Sequence, residues 1–260
     1  MMPILTLQSP PWVPRLAMAF SLAVAIGAGA ARQAFALGDT SVVPRIVMFG
    51  GFCMKCDLST RKLSGARFLA GNFQGASLVG SDLRGALFLG SNFSGADFSH
   101  ADLRGATVTG AIFRNADFGG ANLTGVEGVG MILDDADMDG ARLDSSALEA
   151  ALLRRVKAHG AHFDNANLTG ANLTSGGFED ASFRGAELMG AILSGGQFPH
   201  ADFKGARMRG ASLYGADLSG ALNLTREQLA ETCADRATRL PRGLAAGLCS
   251  GRMIVIRRGP

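Results

Sequence analysis

Apolar and polar residues recur along this chain with a period of five. From residue 57 to residue 220, each unit contains a small residue, a polar residue, Leu or Phe, a second polar residue and commonly Gly, as in the segment 96–105, ADFSHADLRG. Every fifth position from 58 to 218 is Leu, Phe or Met, except Val108, Gly128 and Ala158. A period of five fits neither a helix nor a continuous strand, so the pattern predicts short extended segments separated by turns. Such a repeat is typical of a solenoid.

The repeated unit resembles the A-(D/N)-L-x-x motif of the pentapeptide-repeat family over nearly two thirds of the chain. The resemblance implies an all-β solenoid, a right-handed, four-sided parallel β-helix in which residues 20 apart stack. Seven Phe pairs have this spacing, among them Phe73/Phe93, Phe98/Phe118 and Phe163/Phe183. With coils about 4.8 Å apart, we expect about eight coils and a rod about 40 Å long.

The middle of the array is irregular. In the segments 126–128 (VEG) and 156–158 (VKA), Val occupies the small position and Gly or Ala the large one. Such an exchange roughly conserves core volume, so repacked coils in register are one interpretation. The alternative is a short helix over 146–157, because four apolar residues there have helical spacing: Leu148, Ala151, Leu152 and Val156.

The two ends of the chain differ from the array. Arg15, an apolar run over 16–30 and Ala34-Phe35-Ala36 predict a signal peptide over 1–36, with cleavage after Ala30 as the second choice and an uncleaved anchor as the alternative. We predict an N-terminal cap over 37–56, the β-helix over 57–222 and a C-terminal helical cap and tail over 223–260. The signal peptide places the protein in the periplasm or outside the cell, without a membrane span after its removal.

The C-terminal segment carries a helix-start signal. Thr225 is the expected N-cap and Gln228 lies three residues later, which is the spacing of a capping box. We expect this helix to end near Arg236 or Ala237 and to cover the last coil, because an open solenoid end exposes both core and β edge.

The four cysteines are Cys53, Cys56, Cys233 and Cys249. An even number in an exported protein favours structural disulfides, and we predict Cys53–Cys56 and Cys233–Cys249 as candidate pairs. A redox or metal-binding role for the CxxC pair is the alternative. A thioredoxin-like βαβ context is missing around it, and zinc needs two further ligands.

Candidate chemistry is sparse, and we predict no catalytic residue, cofactor or bound metal. The nearest approach to a ligand cluster is His159, His162 and Asp164, which we interpret as scattered surface residues on outward positions. Asp97, Asp117 and Asp137 fall on one outward column at 20-residue spacing, with Asp139 beside them. We interpret these carboxylates as acceptors for nearby turn amides, with weak cation binding as the alternative.

Outward positions of the array should be polar, but one column is apolar. Ile112, Ile132 and Leu152 precede the core positions of three consecutive coils. Four more apolar residues take outward positions around the adjoining corner: Leu69, Leu87, Leu89 and Val129. Contiguous exposed apolar surface marks interaction sites, so we predict a surface for an unknown protein partner or a homodimer. The alternative is that the cap or the tail folds back over it.

Composition narrows the choice of function. The formal net charge is +3, and falls to about +1 without Arg15 and Arg32, so no nucleic-acid partner is indicated. We therefore predict a non-enzymatic structural or interaction rod. The family resemblance also implies a second class, DNA-mimicking topoisomerase inhibitors with an acidic surface. Here 17 acidic and 14 basic residues over 58–220 give little excess of negative charge.

Overall fold

A computed structural model describes residues 48–248 of the 260-residue chain. The predicted signal peptide, most of the predicted N-terminal cap, and Cys249 with the residues after it lie outside the described residues. All described residues belong to one compact unit. The strands and the helix are β1 (Met48–Phe49), β2 (Arg67–Leu69), β3 (Leu87–Leu89), α1 (Arg226–Ala230), β4 (Cys233–Ala234) and β5 (Gly247–Leu248). Within residues 48–248, no helix has the length and apolarity needed to cross a membrane.

Four parallel ladders hold the coils together. Up to Asp202, each outward residue that precedes a core Leu or Phe pairs with the residue 20 positions later, as in Asp57↔Ser77, Lys62↔Asp82 and Asn72↔Asn92. On the fourth face, β2 and β3 pair in the same register. Backbone amides and carbonyls therefore bond from coil to coil, for example from Phe98 N to Asp117 O at 2.7 Å. Each coil thus contains four pentapeptides, one on each face.

The core consists of stacked columns of Leu and Phe, with Ala beside them. All seven Phe pairs with 20-residue spacing are stacked, with ring centroids 4.8 to 5.6 Å apart. Two different columns contact each other through tilted or edge-on rings, as in Phe68 and Phe73. These arrangements are the ones that aromatic quadrupoles favour. The five-residue pattern is thus converted into a continuous, fully buried interior.

The corner of each pentapeptide adopts a left-handed backbone. Its φ is 62° at Gly105, 55° at Asp180 and 56° at His200, a conformation most accessible to Gly, Asn, Asp and His. The turn before the corner is closed by outward carboxylates. Ser99 N donates to Asp97 Oδ1 at 2.9 Å and Gly119 N donates to Asp117 Oδ1 at 2.7 Å. The aspartate column thus accepts hydrogen bonds from turn amides, as its sequence positions suggest.

The irregular middle remains in register. Ala147 pairs with Asn167, Leu152 with Asn172 and Lys157 with Gly177, all as isolated parallel bridges. The helical alternative for 146–157 is therefore wrong, because this segment's amides bond to neighbouring coils. The space above Gly128 is already filled. A Cβ there would lie 3.0 Å from Leu148 Cδ2 and 3.2 Å from Val108 Cγ2, so neighbours supply the missing volume.

The ladder begins before the predicted start of the β-helix. β1 pairs with β2 at a spacing of 19 residues, and Phe49 stacks on Phe68 with centroids 4.9 Å apart. By Phe52 the pairing has the regular spacing of 20. The first coil is therefore one residue shorter than the others, and the shortening falls between Phe49 and Phe52.

The C-terminal helix has the predicted start and a shorter length. Thr225 is the N-cap of α1, and its side chain forms a capping box with Gln228. The predicted end near Arg236 is wrong, because the helix stops at Ala230 and the chain re-enters the coil stack. Cys233 pairs with Ser212, and Arg239 pairs with Asp217. Thr232 occupies the position that holds a small residue in the pentapeptide unit, and its hydroxyl donates to Leu229 O at 2.8 Å.

Candidate protein-interaction surface

An apolar column of Ile112, Ile132 and Leu152 runs along one face of three consecutive coils. The three residues are bridged to one another in parallel register. Each side chain is half-buried, because it precedes a core residue and points away from the interior. The column thus presents three aliphatic groups at the spacing of adjacent strands, about 4.8 Å.

The seven predicted surface residues form two groups. Leu69, Leu87 and Leu89 lie in β2 and β3 on the preceding face, with Leu69 paired to Leu89. Val129 is 48% exposed and lies three residues before Ile132, around the corner in the same coil. Asn72 and Asn92 occupy the column's own face beside the β2–β3 group. The apolar column and Val129 are therefore the continuous part of the predicted surface.

Charged residues follow the same three coils two residues further on, as an ion-pair column of Arg114, Asp134 and Arg154. Arg154 binds Asp134 through two hydrogen bonds, Nε to Oδ1 at 2.8 Å and Nη2 to Oδ2 at 2.5 Å. Arg114 Nε lies 3.7 Å from Oδ2 of the same carboxylate. The Asp134 side chain is 1% exposed, whereas Arg114 and Arg154 are 49% and 38% exposed. Two guanidinium groups thus cover one buried carboxylate.

This geometry explains the electrostatics of the ion-pair column. Hydrogen bonds from Arg154 hold the pKa of Asp134 below its usual range, against the opposing effect of burial. At the adjoining corner, hydrogen bonds from Arg155 lower the pKa of Asp135 in the same way. Both pairs join residues 20 apart. The charges beside the apolar column therefore also connect successive coils.

Sequence reasoning missed two features of this face. Ile192 belongs to the same ladder as Leu152 and is 38% exposed, beyond the polar Asn172. Glu149, just before Leu152, bonds through Oε1 to Asn167 Nδ2 at 2.6 Å, while its buried Oε2 has no hydrogen-bond partner among the described residues. The 20-residue spacing that revealed Ile112 and Ile132 also identifies Ile192 and the ion-pair column, whereas the state of Glu149 requires the structure.

The cysteines lie at the two ends of the described chain. Cys53 and Cys56 form a disulfide with Cα atoms 5.4 Å apart, and Cys53 N also joins the ladder by donating to Asn72 O. Cys233 in β4 is disulfide-bonded. Its predicted partner, Cys249, lies outside the described residues.

The structure does not bring the three candidate metal ligands into one cluster. His159 lies with Glu179 and Asp180, whereas His162 lies with Asp144 and Asp164. His162 and Asp164 thus lie together, whereas His159 lies among other carboxylates. His159 and His162 are three residues apart along one coil, and each approaches carboxylates from its own corner.

Stacked four-sided coils with a patterned outer surface define a solenoid repeat protein. The family model for pentapeptide repeats matches the chain in eight copies between residues 53 and 222. The chain belongs to the pentapeptide repeat family, and its solenoid is a right-handed β-helix. The comparison with curated proteins returns no significant match.

Solved structures of other pentapeptide repeat proteins resemble this chain. HetL from the cyanobacterium Nostoc sp. strain PCC 7120, involved in heterocyst differentiation regulation, is 26% identical, with 68% of this chain and 84% of HetL covered and a TM-score of 0.41. QnrB1, a plasmid-mediated fluoroquinolone resistance protein, is 21% identical, with 74% and 94% covered and a TM-score of 0.38. A protein from the Arabidopsis thaliana thylakoid lumen is 26% identical, with 47% and 68% covered and a TM-score of 0.25.

Proposed function

We propose that this protein is an exported, non-enzymatic rod that binds a protein partner through the apolar column of Ile112, Ile132 and Leu152. The observation that carries the proposal is the register of these residues, which stack outward in three consecutive coils. Family membership supports it, because a rigid repeat rod presents an extended surface to partners. Export is proposed from the sequence of residues 1–36, which lie outside the described residues.

The energetics suit a modest interface. Full burial of an aliphatic side chain contributes about 1.5 to 3 kcal/mol. The column is already largely buried, so a partner gains no more than about a third of that at each residue. Val129 widens the apolar centre around the corner, and the arginines of the ion-pair column form a polar rim. Interfaces are commonly built this way, with arginine enriched among the residues that matter most.

Charge indicates which kind of partner fits. Arg114 and Arg154 share the single carboxylate of Asp134, so the ion-pair column has an excess of one positive charge. A second copy of this chain would bring the same arginines towards each other if the columns met face to face. We therefore propose a different protein, with an aliphatic patch bordered by acidic residues.

The tail offers an alternative occupant for the column, because it is the segment that could fold back. Its residues Cys233 and Arg239 pair with Ser212 and Asp217 at the last coil. Ser212 lies three coils beyond Leu152, or about 14 Å along the rod. Residues 223–248 of the tail thus pair with the end of the rod and not with the apolar column. This favours an external partner for the column.

The test is a triple variant, Ile112→Thr, Ile132→Thr and Leu152→Asn, with Ile192→Asn as the matched control. The coils already accept a polar residue in this ladder at Asn172, so both variants are expected to fold. Partners recovered by crosslinking are compared, and the affinity of the purified partner is measured at two salt concentrations. We expect the triple variant to lose the partner, the control to retain it, and salt to weaken binding through the arginine rim.

Three results would contradict the proposal. A folded triple variant that binds its partner as tightly as the wild type excludes the apolar column. Concentration-dependent sedimentation of the wild type that disappears in the triple variant assigns the column to a homodimer. A lower melting temperature of the triple variant without any change in partners assigns it to an intramolecular contact.

We also propose a rod of about eight coils with α1 and the re-entrant segment as its C-terminal cap. Eight steps of 20 residues lead from Asp57 to Asp217. Gln228 Nε2 donates to Phe203 O at 2.7 Å and to Ala206 O at 2.9 Å, which satisfies carbonyls at the open edge. Truncation after Leu222 should therefore produce aggregation, measured by soluble yield and sedimentation. A soluble, monomeric truncated protein would contradict capping.

A further inference from the structure

Two histidines approach one aspartate at a corner on the C-terminal side of the apolar column. His159 Nε2 lies 3.4 Å from Asp180 Oδ2, and His200 Nδ1 lies 3.3 Å from Asp180 Oδ1. A carboxylate oxygen of Glu179, one atom of Asp180 and one ring nitrogen of His159 all lie within 4.8 Å of one another. These residues come from three successive coils, which the ladder holds in register. We call this group the histidine corner.

One pair of its atoms has the spacing of two ligands around a small metal ion. Zinc binds imidazole nitrogen at about 2.0 to 2.1 Å and carboxylate oxygen at about 2.0 to 2.2 Å, with tetrahedral geometry. Two such ligands are therefore about 3.3 to 3.5 Å apart. The distance of 3.4 Å between His159 Nε2 and Asp180 Oδ2 falls in this range. The two atoms need no large movement to share an ion, and Glu179 needs a rotation of its exposed side chain.

The local charge also favours a cation. Among the described residues, both salt bridges of Asp180 are to histidines, and Glu179 forms none with Lys or Arg. Asp139 adds a third carboxylate, whose Oδ1 accepts from His159 N at 2.8 Å. The nearby Lys157 is paired with Asp137 instead. The corner thus holds carboxylates that the described cations leave uncompensated.

The second cluster, Asp144, His162 and Asp164, lacks this property. Arg142 Nη2 lies 3.1 Å from Asp144 Oδ2. Asp164 Oδ1 accepts from the hydroxyl of Ser182 and from Arg184 N. Because its carboxylates already have donors within the protein, a metal ion must displace these partners. This cluster therefore serves as an internal control.

We propose that the histidine corner is a binding site for a divalent transition-metal ion of the zinc class. His159 Nε2, Asp180 Oδ2 and one carboxylate oxygen of Glu179 are the ligands, and water completes the tetrahedron. His200 acts through Asp180, since a proton on Nδ1 allows it to donate to Oδ1 and to fix the carboxylate. A hydrogen bond of this kind to a ligating carboxylate orients the ligand in many metal sites.

The ligand set selects the class of ion. Magnesium and calcium prefer oxygen ligands only, at six or more positions. An imidazole together with carboxylates suits zinc, copper and nickel, and their affinities follow the Irving–Williams order. The site differs from the apolar column in position and in chemistry. The metal-site proposal therefore does not depend on the proposed protein partner.

The test uses the full chain after removal of any tag, oxidised and stripped with a chelator. Oxidation keeps the cysteines out of the titration, because thiolates bind zinc strongly. Zinc is titrated by calorimetry, with magnesium as the comparison ion, and melting temperatures are recorded in parallel. The wild type should bind one equivalent of zinc, melt at a higher temperature with zinc, and show no response to magnesium.

Variants then locate the site. Asp180→Asn and His159→Asn should each weaken zinc binding by at least about tenfold, and His200→Asn by about tenfold to a hundredfold. His100→Asn is the matched control, because His100 occupies the same kind of left-handed corner position as His200, with φ of 57°. Asn tolerates this backbone, and the control should bind zinc like the wild type.

Three outcomes would overturn the proposal. One is the absence of saturable zinc binding by the wild type up to about 100 µM, far above the range of structural zinc sites. Another is unchanged affinity in folded Asp180→Asn. The third is loss of binding in His162→Asn with retention in His159→Asn, which assigns the ion to the second cluster.

Discussion

The core of the coil stack differs between its ends and its middle. Stacked rings fill the interior on both sides, as in Phe73/Phe93 and Phe163/Phe183. No Phe occurs between Phe118 and Phe163. There the buried positions are taken by aliphatic residues and methionine, with Gly128 at a position that elsewhere holds Leu or Phe. The backbone register is nevertheless the same in both regions.

The surface ion pairs of the middle coils also differ from those of the N-terminal coils. In the N-terminal coils, the shortest ion pairs lie within one coil, as between Asp82 and Arg84 at 2.7 Å, and Arg84 also lies 3.7 Å from Asp102 of the next coil. In the middle coils, the shortest ion pairs connect successive coils, as in Asp134–Arg154 and Asp135–Arg155, and Arg142 pairs with Asp144 within one coil. The apolar column lies over the same coils. In each pentapeptide, the backbone ladder lies between the inward-facing and the outward-facing side chains. The inward-facing side chains need only fill the core volume. The outward-facing ones can vary without disturbing the core.

The substitution with the largest expected effect tests the part of the core that is filled by stacked Phe rings. Phe183→Ala removes the middle ring of a stack, with centroids 4.9 Å from Phe163 and 5.1 Å from Phe203. We expect a loss of about 3 to 5 kcal/mol of unfolding free energy. Met138→Ala, equally buried in the ring-free middle, should cost less than Phe183→Ala, within the range of about 2 to 5 kcal/mol. Denaturant unfolding of both variants measures the difference, and an equal or larger loss in Met138→Ala would contradict the distinction.

A smaller effect tests whether the middle is filled. Gly128→Leu restores the residue type common at this position, yet Val108, Met131 and Leu148 already occupy the space, with side-chain atoms 3.0 to 3.2 Å from an added Cβ. We expect the substitution to destabilise the protein by about 1 to 3 kcal/mol. Gly177→Ala is the control, since an added Cβ there lies 4.0 Å from its nearest neighbour. A stabilised Gly128→Leu variant would show that the middle coils contain an unfilled cavity.

The inter-coil ion pair should have the smallest of the three effects. Asp134→Asn removes the charge that Arg154 and Arg114 surround, and we expect a loss of about 1 to 2 kcal/mol at neutral pH. Asp82→Asn in the within-coil pair, where the carboxylate is 27% exposed, should cost less than about 1 kcal/mol. Equal losses would contradict the distinction between the two kinds of pair.

The pH dependence sharpens this prediction. The pKa of Asp134 is lowered in the folded protein by its hydrogen bonds to Arg154, so the carboxylate stabilises the fold above its unfolded pKa of about 3.9. This contribution is lost as the pH falls through the lower, folded pKa. The difference in unfolding free energy between the wild type and Asp134→Asn should be constant from about pH 5 to 7 and shrink below about pH 4. A difference that grows towards low pH would exclude Asp134 as its source.

The sequence by itself determined the coil, its register and its outward columns. A period of five over 33 positions leaves little freedom, because a slip of one residue would expose every Leu and Phe of a coil. The 20-residue spacing also places Ile112, Ile132 and Leu152 on one face. The capping box of Thr225 and Gln228 was also readable, since its signal is local.

Tertiary structure alone decided the features that depend on side chains from different coils. The sequence placed His159, His162 and Asp164 on outward positions, whereas only the structure places His159 beside Asp180 of the next coil. Arg154 turns towards Asp134 of the previous coil. Helix α1 ends early because the chain after it pairs with the last coil, where Cys233 pairs with Ser212. The free edge of the ladder offers more backbone hydrogen bonds than a longer helix would. Periodicity fixes the face that a residue occupies. Contacts between coils depend in addition on the direction in which the long side chains point, towards the preceding coil or towards the next one.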